Sequence, residues 1–233
     1  MKGRILAYWH LVIVINENNV IKYILGSKAT FPKALAQEHR ILNKSYRKEG
    51  KPMDKNLDKK ISLSPLISDG MVIQRATEVS IWGKATPGEN LNLSFLDKDY
   101  NTLVEEDGSW EILLNNLKSG GPFIINITSA GEAVTVKDVY VGDVWVLGGQ
   151  SNMQIPISRT LDLFEDEVKD DNYPEIRQFT VPMVYDFHKP VDELSDGNWV
   201  SVAPDTVNSF SAIGYFFSKK IYDKYNIPIG LLF

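Results

Sequence analysis

Cysteine is absent from the 233 residues, which excludes disulfides, thiolate nucleophiles and cysteine-ligated metal centres but leaves the redox compartment open. Histidine is nearly absent: His10, His39 and His188 are the only three, so an imidazole base has few candidates. Positive charge is not in excess either. Lys and Arg number 25 against 30 Asp and Glu, for a net charge of −5, and no basic stripe with interleaved aromatics offers nucleic acid a footprint. Nucleic acid is therefore set aside as a partner. No apolar run reaches the ~20 residues of a membrane-spanning helix. The nearest, residues 5–15, follows Lys2 and Arg4 but contains His10 and runs into Asn16-Glu17-Asn18-Asn19. With no small-x-small cleavage site behind it, it imitates a secretory signal poorly and reads as a buried strand or a tail.

What is present is an ordinary globular composition, 43% hydrophobic and 24% charged. Residues 1–60 read as an unassigned, partly disordered extension: positions 27–60 are rich in lysine and polar residues, and Pro32, Gly50 and Pro52 interrupt any long period. A thin helix over residues 33–46 would place Leu35, His39 and Leu42 on one face. At Ile61 the pattern changes to short alternating segments between turn signals such as Asp69-Gly70, Thr86-Pro87-Gly88, Asp107-Gly108 and Ala130-Gly131. Apolar residues two apart, as in Leu91-Leu93-Phe95 and Trp110-Ile112-Leu114, give one buried face and one wet one. Residues 61–140 are expected to form a β-sandwich domain with Trp82 and Trp110 in its core. Asp97, Asp99, Glu105, Glu106 and Asp107 lack the ligand order of a calcium loop and read as solvated turns, so no metal site is expected.

Beyond residue 141 hairpins give way to long connections. Val144-Trp145-Val146-Leu147 reads as a buried strand, followed by Gly148-Gly149 and then Ser151. An acidic stretch covers residues 162–171, a strand is expected over 176–181, and a proline-punctuated loop passes Pro182, Pro190 and Gly197. A serine-capped helix over residues 211–225 carries Ile213, Phe216, Phe217 and Ile221 on one side. A last apolar strand spans 227–233. The reading is α/β, but about three strands and one helix cannot cover a parallel sheet on both faces. The expectation is an incomplete domain over 141–233, finished by missing sequence or by another subunit. Ser151 stands where open α/β sheets place ligands, beyond the carboxyl end of a strand. Local sequence alone favours an ordinary turn serine, because no histidine has an orienting carboxylate in a recognisable arrangement. Asp186 and His188 share a side of an extended segment, yet nothing else marks them as a base.

A wider pattern runs through the chain: Ser68-Asp69-Gly70-Met71-Val72-Ile73-Gln74-Arg75, then Val79-Ser80-Ile81-Trp82-Gly83-Lys84-Ala85-Thr86-Pro87-Gly88-Glu89, then Asp107-Gly108-Ser109-Trp110. Gly142-Asp143-Val144-Trp145 leads to Gly149-Gln150-Ser151-Asn152-Met153, followed by Asn198-Trp199, Phe210-Ser211-Ala212-Ile213-Gly214-Tyr215-Phe216-Phe217 and Ile227-Pro228-Ile229-Gly230. In this order and spacing they resemble the sialate O-acetylesterase family. The resemblance implies a serine esterase of the SGNH type, with a β-sandwich domain and a flavodoxin-like three-layer α/β domain, no cofactor, and a secreted or periplasmic location. The substrate it implies is an acetylated sialoglycan or polysaccharide. Carried over by motif, Ser151 is the nucleophile and its amide an oxyanion donor; Gln150 and Asn152 support the elbow, and Met153 lines the substrate site. The family's later Gly-Gly, Gln-Gly-Glu and Asp-x-x-His motifs are not in this chain. An inactive or weakly active fragment is therefore expected. The alternatives are an acetylxylan-type esterase and a non-catalytic carbohydrate-binding or assembly module.

Overall fold

Period-two alternation writes most of the chain as strands, and their pairing assembles around one long strand. The computed structural model describes residues 12–13, 61–149, 151–183 and 194–233. The candidate helix over residues 33–46 and all three histidines lie outside these residues. The strands are β1 (Val12–Ile13), β2 (Ser62–Leu63), β3 (Val72–Gln74), β4 (Val79–Lys84), β5 (Asn90–Phe95), β6 (Lys98–Leu103), β7 (Ser109–Leu114), β8 (Gly120–Ser129), β9 (Glu132–Gly148), β10 (Tyr173–Phe179), β11 (Trp199–Val202) and β12 (Ile229–Leu232). Helices α1 (Leu161–Val168) and α2 (Ala212–Tyr225) and two single 3₁₀ turns complete the described elements. The fold is mostly β-sheet with few helices.

Among the described residues, the larger sheet runs β11-β10-β12-β9-β8-β5-β6, with β1 and β3 also pairing to β9. The smaller sheet, β2-β4-β7, turns Val79, Ile81, Trp110, Ile112 and Leu114 into the same core as Leu91, Leu93, Phe95, Ile125 and Ile127. Trp110 is buried there and Trp82 is half-buried against it. Hairpins β5–β6 and β8–β9 each turn through two residues with positive φ, Leu96-Asp97 and Ala130-Gly131. Such turns match the right-handed twist of the flanking strands. The second carries the usual glycine. The first has none, which is why sequence reading left out β6 and placed Asp99 in a turn rather than in that strand.

Strand β9 is 17 residues long and passes through position 140 without interruption. Its first part pairs antiparallel with β8; its last part pairs parallel with β12, from Asp143↔Ile229 to Val146↔Leu232. Strand β12 pairs parallel with β10, and β11 closes that edge antiparallel. Beside the expected strands, this layer contains β11 and a helix in the acidic stretch: α1 buries Val168 and sets Phe164 against Phe216, with ring centroids 5.1 Å apart.

Two glycines permit close approach of elements in this layer. A Cβ on Gly142 would lie 1.9 Å from the Pro228 carbonyl oxygen, and one on Gly214 would lie 2.4 Å from Leu147 Cδ1. The first lets the connection into β12 lie against β9; the second lets the opening turn of α2 rest on β9. Polar ties reinforce the same junction. Arg177, only 5% exposed along its side chain, pairs with Asp138 at 2.8 Å. Its other nitrogens donate to the Pro174 and Asp138 carbonyls, and its guanidinium lies 4.6 Å from the centre of the Tyr140 ring. A buried cation needs such partners because removing it from water otherwise costs several kcal/mol.

Helix α2 begins at a serine cap: the Ser211 side chain accepts from the Gly214 amide. It ends at Asn226, a left-handed C-cap with φ 52°. One stripe of α2 faces the start of β10. Tyr215 donates to Asp171, which also pairs with Lys219 at 2.6 Å, and Tyr222 donates to Glu175. Burial first, and then the hydrogen bond to Asp171, push the Tyr215 phenol well above its ordinary range. Burial and the bond to Glu175 push Tyr222 up to about 12 from 10.0.

Two outcomes follow from this packing. Gly142→Ala sets a methyl group into backbone that cannot rotate away, and it should cost roughly 3 kcal/mol or more. Gly131→Ala has open space around a φ of +84° and should cost only about 1–2 kcal/mol; urea unfolding of both variants measures the difference. For Tyr222 the folded pKa lies above the unfolded one, so its contribution is whole below pH 10 and is lost as pH rises through about 12. Tyr222→Phe should flatten the alkaline fall in urea midpoint across that window, and an unchanged slope would contradict it.

Candidate active site at the end of strand β9

Strand β9 delivers its carboxyl end to the surface. Val144 and Leu147 are buried, whereas Gly148, Gly149, Ser151 and Asn152 are exposed. Ser151 and Asn152 belong to a turn covering residues 151–154; Gln150 lies outside the described residues. The turn exists because β9, apolar on both faces while inside the sheet, runs out of neighbouring strand at Gly148 and must reverse. Of the two glycines, Gly149 is the closely approached one, where a Cβ would lie 3.2 Å from Met153 Cβ; around Gly148 the space is open.

Met153 points inward. It is 3% exposed and joins Leu147, Ile157, Phe210, Tyr215, Ile229 and Leu231 in the core beneath α2. Burying a side chain of this size stabilises the fold by about 1.5–3 kcal/mol, so the turn is anchored by its last residues and exposes its first. Ser151 and Asn152 are thus presented together, with Met153 as their anchor below.

The chain leaving the turn is stitched to the start of α2. Ser211 Oγ donates to the Met153 carbonyl at 2.7 Å, the Ala212 amide donates to the Ile155 carbonyl at 2.8 Å, and the Ile157 amide donates to the Phe210 carbonyl at 2.9 Å. The Ser211 amide donates in turn to Gln178 Oε1 at 3.1 Å, and both residues are buried. Sequence reading recognised Ser211 only as a helix cap and passed over Gln178. The missed signal was a glutamine in the buried half of β10, where a buried amide needs a designated partner.

The chain entering β9 is held by polar groups from β3. Arg75 makes a two-pronged pair with Asp143, at 2.7 and 3.2 Å. Gln74 Oε1 accepts the Val144 amide at 2.7 Å, and its Nε2 donates to the Arg75 carbonyl at 3.2 Å. The Gln74 side chain thereby continues the ladder where β3 ends. Nearer the turn, β1 pairs antiparallel with β9 through Ile13↔Leu147 and Val12↔Gly148.

Chemically, the site presents a primary hydroxyl on a short exposed turn, beside backbone amides, at the end of a buried parallel strand. Among the described residues no group of acidic residues could hold a metal ion, and no helix is long and apolar enough to cross a membrane.

No family model matches the chain. A sialate O-acetylesterase from Mus musculus is 27% identical over 184 residues, covering 71% of this chain and 34% of the mouse protein. The protein of the same name from Homo sapiens is 26% identical over 183 residues, covering 71% of this chain and 35% of its own length. A carbohydrate acetylesterase from Xanthomonas citri, known from its crystal structure, superposes with a TM-score of 0.70 at 32% identity, over 74% of this chain and 39% of its own. The chain spans roughly a third of the length of the curated relatives it matches. The ordered motifs from Ser68 to Gly230 and these likenesses point the same way: the chain is similar to sialate O-acetylesterases and to a carbohydrate acetylesterase.

Proposed function

We propose that Ser151 is the nucleophile of a carboxylic ester hydrolase that removes O-acetyl groups from sialic acid or a related acetylated sugar. The observation that carries this reading is the exposure of Ser151 on a turn fixed to buried structure at both ends, in a chain whose motifs and relatives are those of carbohydrate acetylesterases. In the proposed reaction Ser151 Oγ attacks the acetyl carbonyl carbon as its proton passes to a base. The carbonyl becomes an oxyanion held by the Ser151 amide. Collapse then expels the sugar hydroxyl and leaves an acetyl-enzyme, which water hydrolyses by the same steps in reverse. The Gln150 and Asn152 side chains are assigned to supporting this elbow.

The reading also divides the chain into a β-sandwich domain over residues 61–140 and a part of an SGNH-type, flavodoxin-like α/β domain over 141–233. Strand β9 runs across position 140 and so contributes to both parts. Secretion or a periplasmic location belongs to the same reading. The chain supplies the nucleophile and one oxyanion amide but no recognisable base motif around His10, His39 or His188. A missing base typically lowers the rate ~10²–10⁴-fold.

The reading is tested with p-nitrophenyl acetate, with and without added imidazole as an external base. Without imidazole, the chain and Ser151→Ala should release p-nitrophenol at the same rate. With imidazole, the unmodified chain should become acetylated at Ser151, seen by peptide mass spectrometry, and should exceed Ser151→Ala in turnover. Absence of acetyl on Ser151 under imidazole would overturn the nucleophile assignment. Turnover that needs Ser151 but not imidazole would overturn the missing base. Acetylated sialosides and acetylated xylan as competing substrates separate the two sugar classes.

A further inference from the structure

We propose that the first turn of helix α2 is a clamp that sets the position of Ser151, with Ser211 and Gln178 as positioning residues. The inference rests on Ser151 being the nucleophile and adds the means by which its turn is held.

Both ends of the loop meet the first turn of α2. The incoming end is Leu147, whose side chain lies against Gly214 so closely that a Cβ there would come within 2.4 Å of Leu147 Cδ1. The outgoing end is Met153, whose carbonyl accepts from Ser211 Oγ at 2.7 Å. Ser211 and Gly214 are three apart, so they lie on the same face of one helical turn. A single turn of α2 therefore touches the loop on both sides of Ser151. The Ser211 hydroxyl also closes the turn on itself by accepting from the Gly214 amide at 3.3 Å. One side chain thus joins the helix cap to the nucleophile loop.

That clamp is referenced to the sheet through Gln178. The Gln178 Oε1 accepts the Ser211 amide, and its Nε2 donates to Thr180 Oγ1 at 3.2 Å, so the amide orientation is specified at both ends. Strand β10, which carries Gln178, pairs with β12, and β12 pairs with β9. The loop, the helix and the three parallel strands form a closed circuit. A helix cap alone would be satisfied by the Gly214 amide and would not require a buried donor aimed back at residue 153. The Ala212–Ile155 and Phe210–Ile157 hydrogen bonds extend the same seam. Ser211 itself touches no exposed surface, being 1% exposed, so its role is positioning rather than contact with substrate.

A nucleophile displaced by about 1 Å can lose on the order of 10²-fold in rate. Ser211→Ala retains the helix but releases the Met153 carbonyl. The control is Ser218→Ala: Ser218 is equally buried in α2, and its hydroxyl donates to the Tyr215 carbonyl, away from the loop.

The test compares the unmodified chain with Ser211→Ala, Ser211→Thr, Gln178→Leu and Ser218→Ala. Two readouts are used: amide ¹H–¹⁵N shifts of residues 151–154, and the rate of Ser151 acetylation by p-nitrophenyl acetate with imidazole. Ser211→Ala and Gln178→Leu should shift those amides and slow acetylation by roughly 10- to 100-fold. Ser211→Thr should restore both, and Ser218→Ala should change neither at a comparable loss of thermal midpoint. Equal effects of Ser211→Ala and Ser218→Ala, or loop amides unmoved in Ser211→Ala, would overturn the clamp. No acetylation in the unmodified chain would instead count against Ser151 as nucleophile, while the amide shifts would still decide the clamp. Should Ser211→Ala fail to fold, Gln178→Leu gives the same decision from the other end of the hydrogen-bonded path.

Discussion

Everything in the described structure depends on β9 being one uninterrupted strand. Its first half satisfies its backbone against β8 and its second half against β12, with β3 bridging the two at residues 140–142. A strand cannot shift register by one residue without turning its buried side chains to the opposite face. The antiparallel sheet and the parallel layer therefore hold each other in register through shared backbone. The Ser151 turn inherits its position from both.

Polar groups secure this arrangement where strand pairing cannot reach. Gln74 ends β3 by supplying a side-chain acceptor to Val144, and Arg75 closes over Asp143 immediately before it. On the other side, Arg177 crosses from β10 to Asp138, next to the bend where β9 passes from one partner to the next. Each group belongs to a segment far away in sequence, and each has hydrogen-bonded partners on β9. That condition makes a buried polar contact specify geometry rather than merely cost desolvation.

Much of the fold was legible because its signals are local. Alternation from Val79 onward, the Ala130-Gly131 turn, the Ser211 cap and Asn226 all concern residues within a few positions of one another. The omissions have equally local causes. Leu96-Asp97 adopts a left-handed turn without glycine, so β6 carried no marker. Helix α1 is largely exposed apart from Val168 and the aromatic contact of Phe164, so its sequence shows an acidic stretch and no helical signal. At the site, Ser151 was legible from Gly148, Gly149 and the surrounding motif. The inward turn of Met153 and the part played by Gln178 were not, since both depend on what lies above and beside the loop.

The sequence by itself determined most of the strands, the capped helix α2, the location of the serine at a strand end, and, through its ordered motifs, the resemblance to the sialate O-acetylesterases. Tertiary structure decided the order β10-β12-β9, the passage of one strand from an antiparallel to a parallel partner, and the contact of α2 with both ends of the serine turn. The reason is physical. Periodicity and capping are set by neighbours along the chain, whereas pairing between residues such as Ile229 and Asp143, or Ser211 and Met153, is selected by fit between distant surfaces, of which neither segment alone contains the complement.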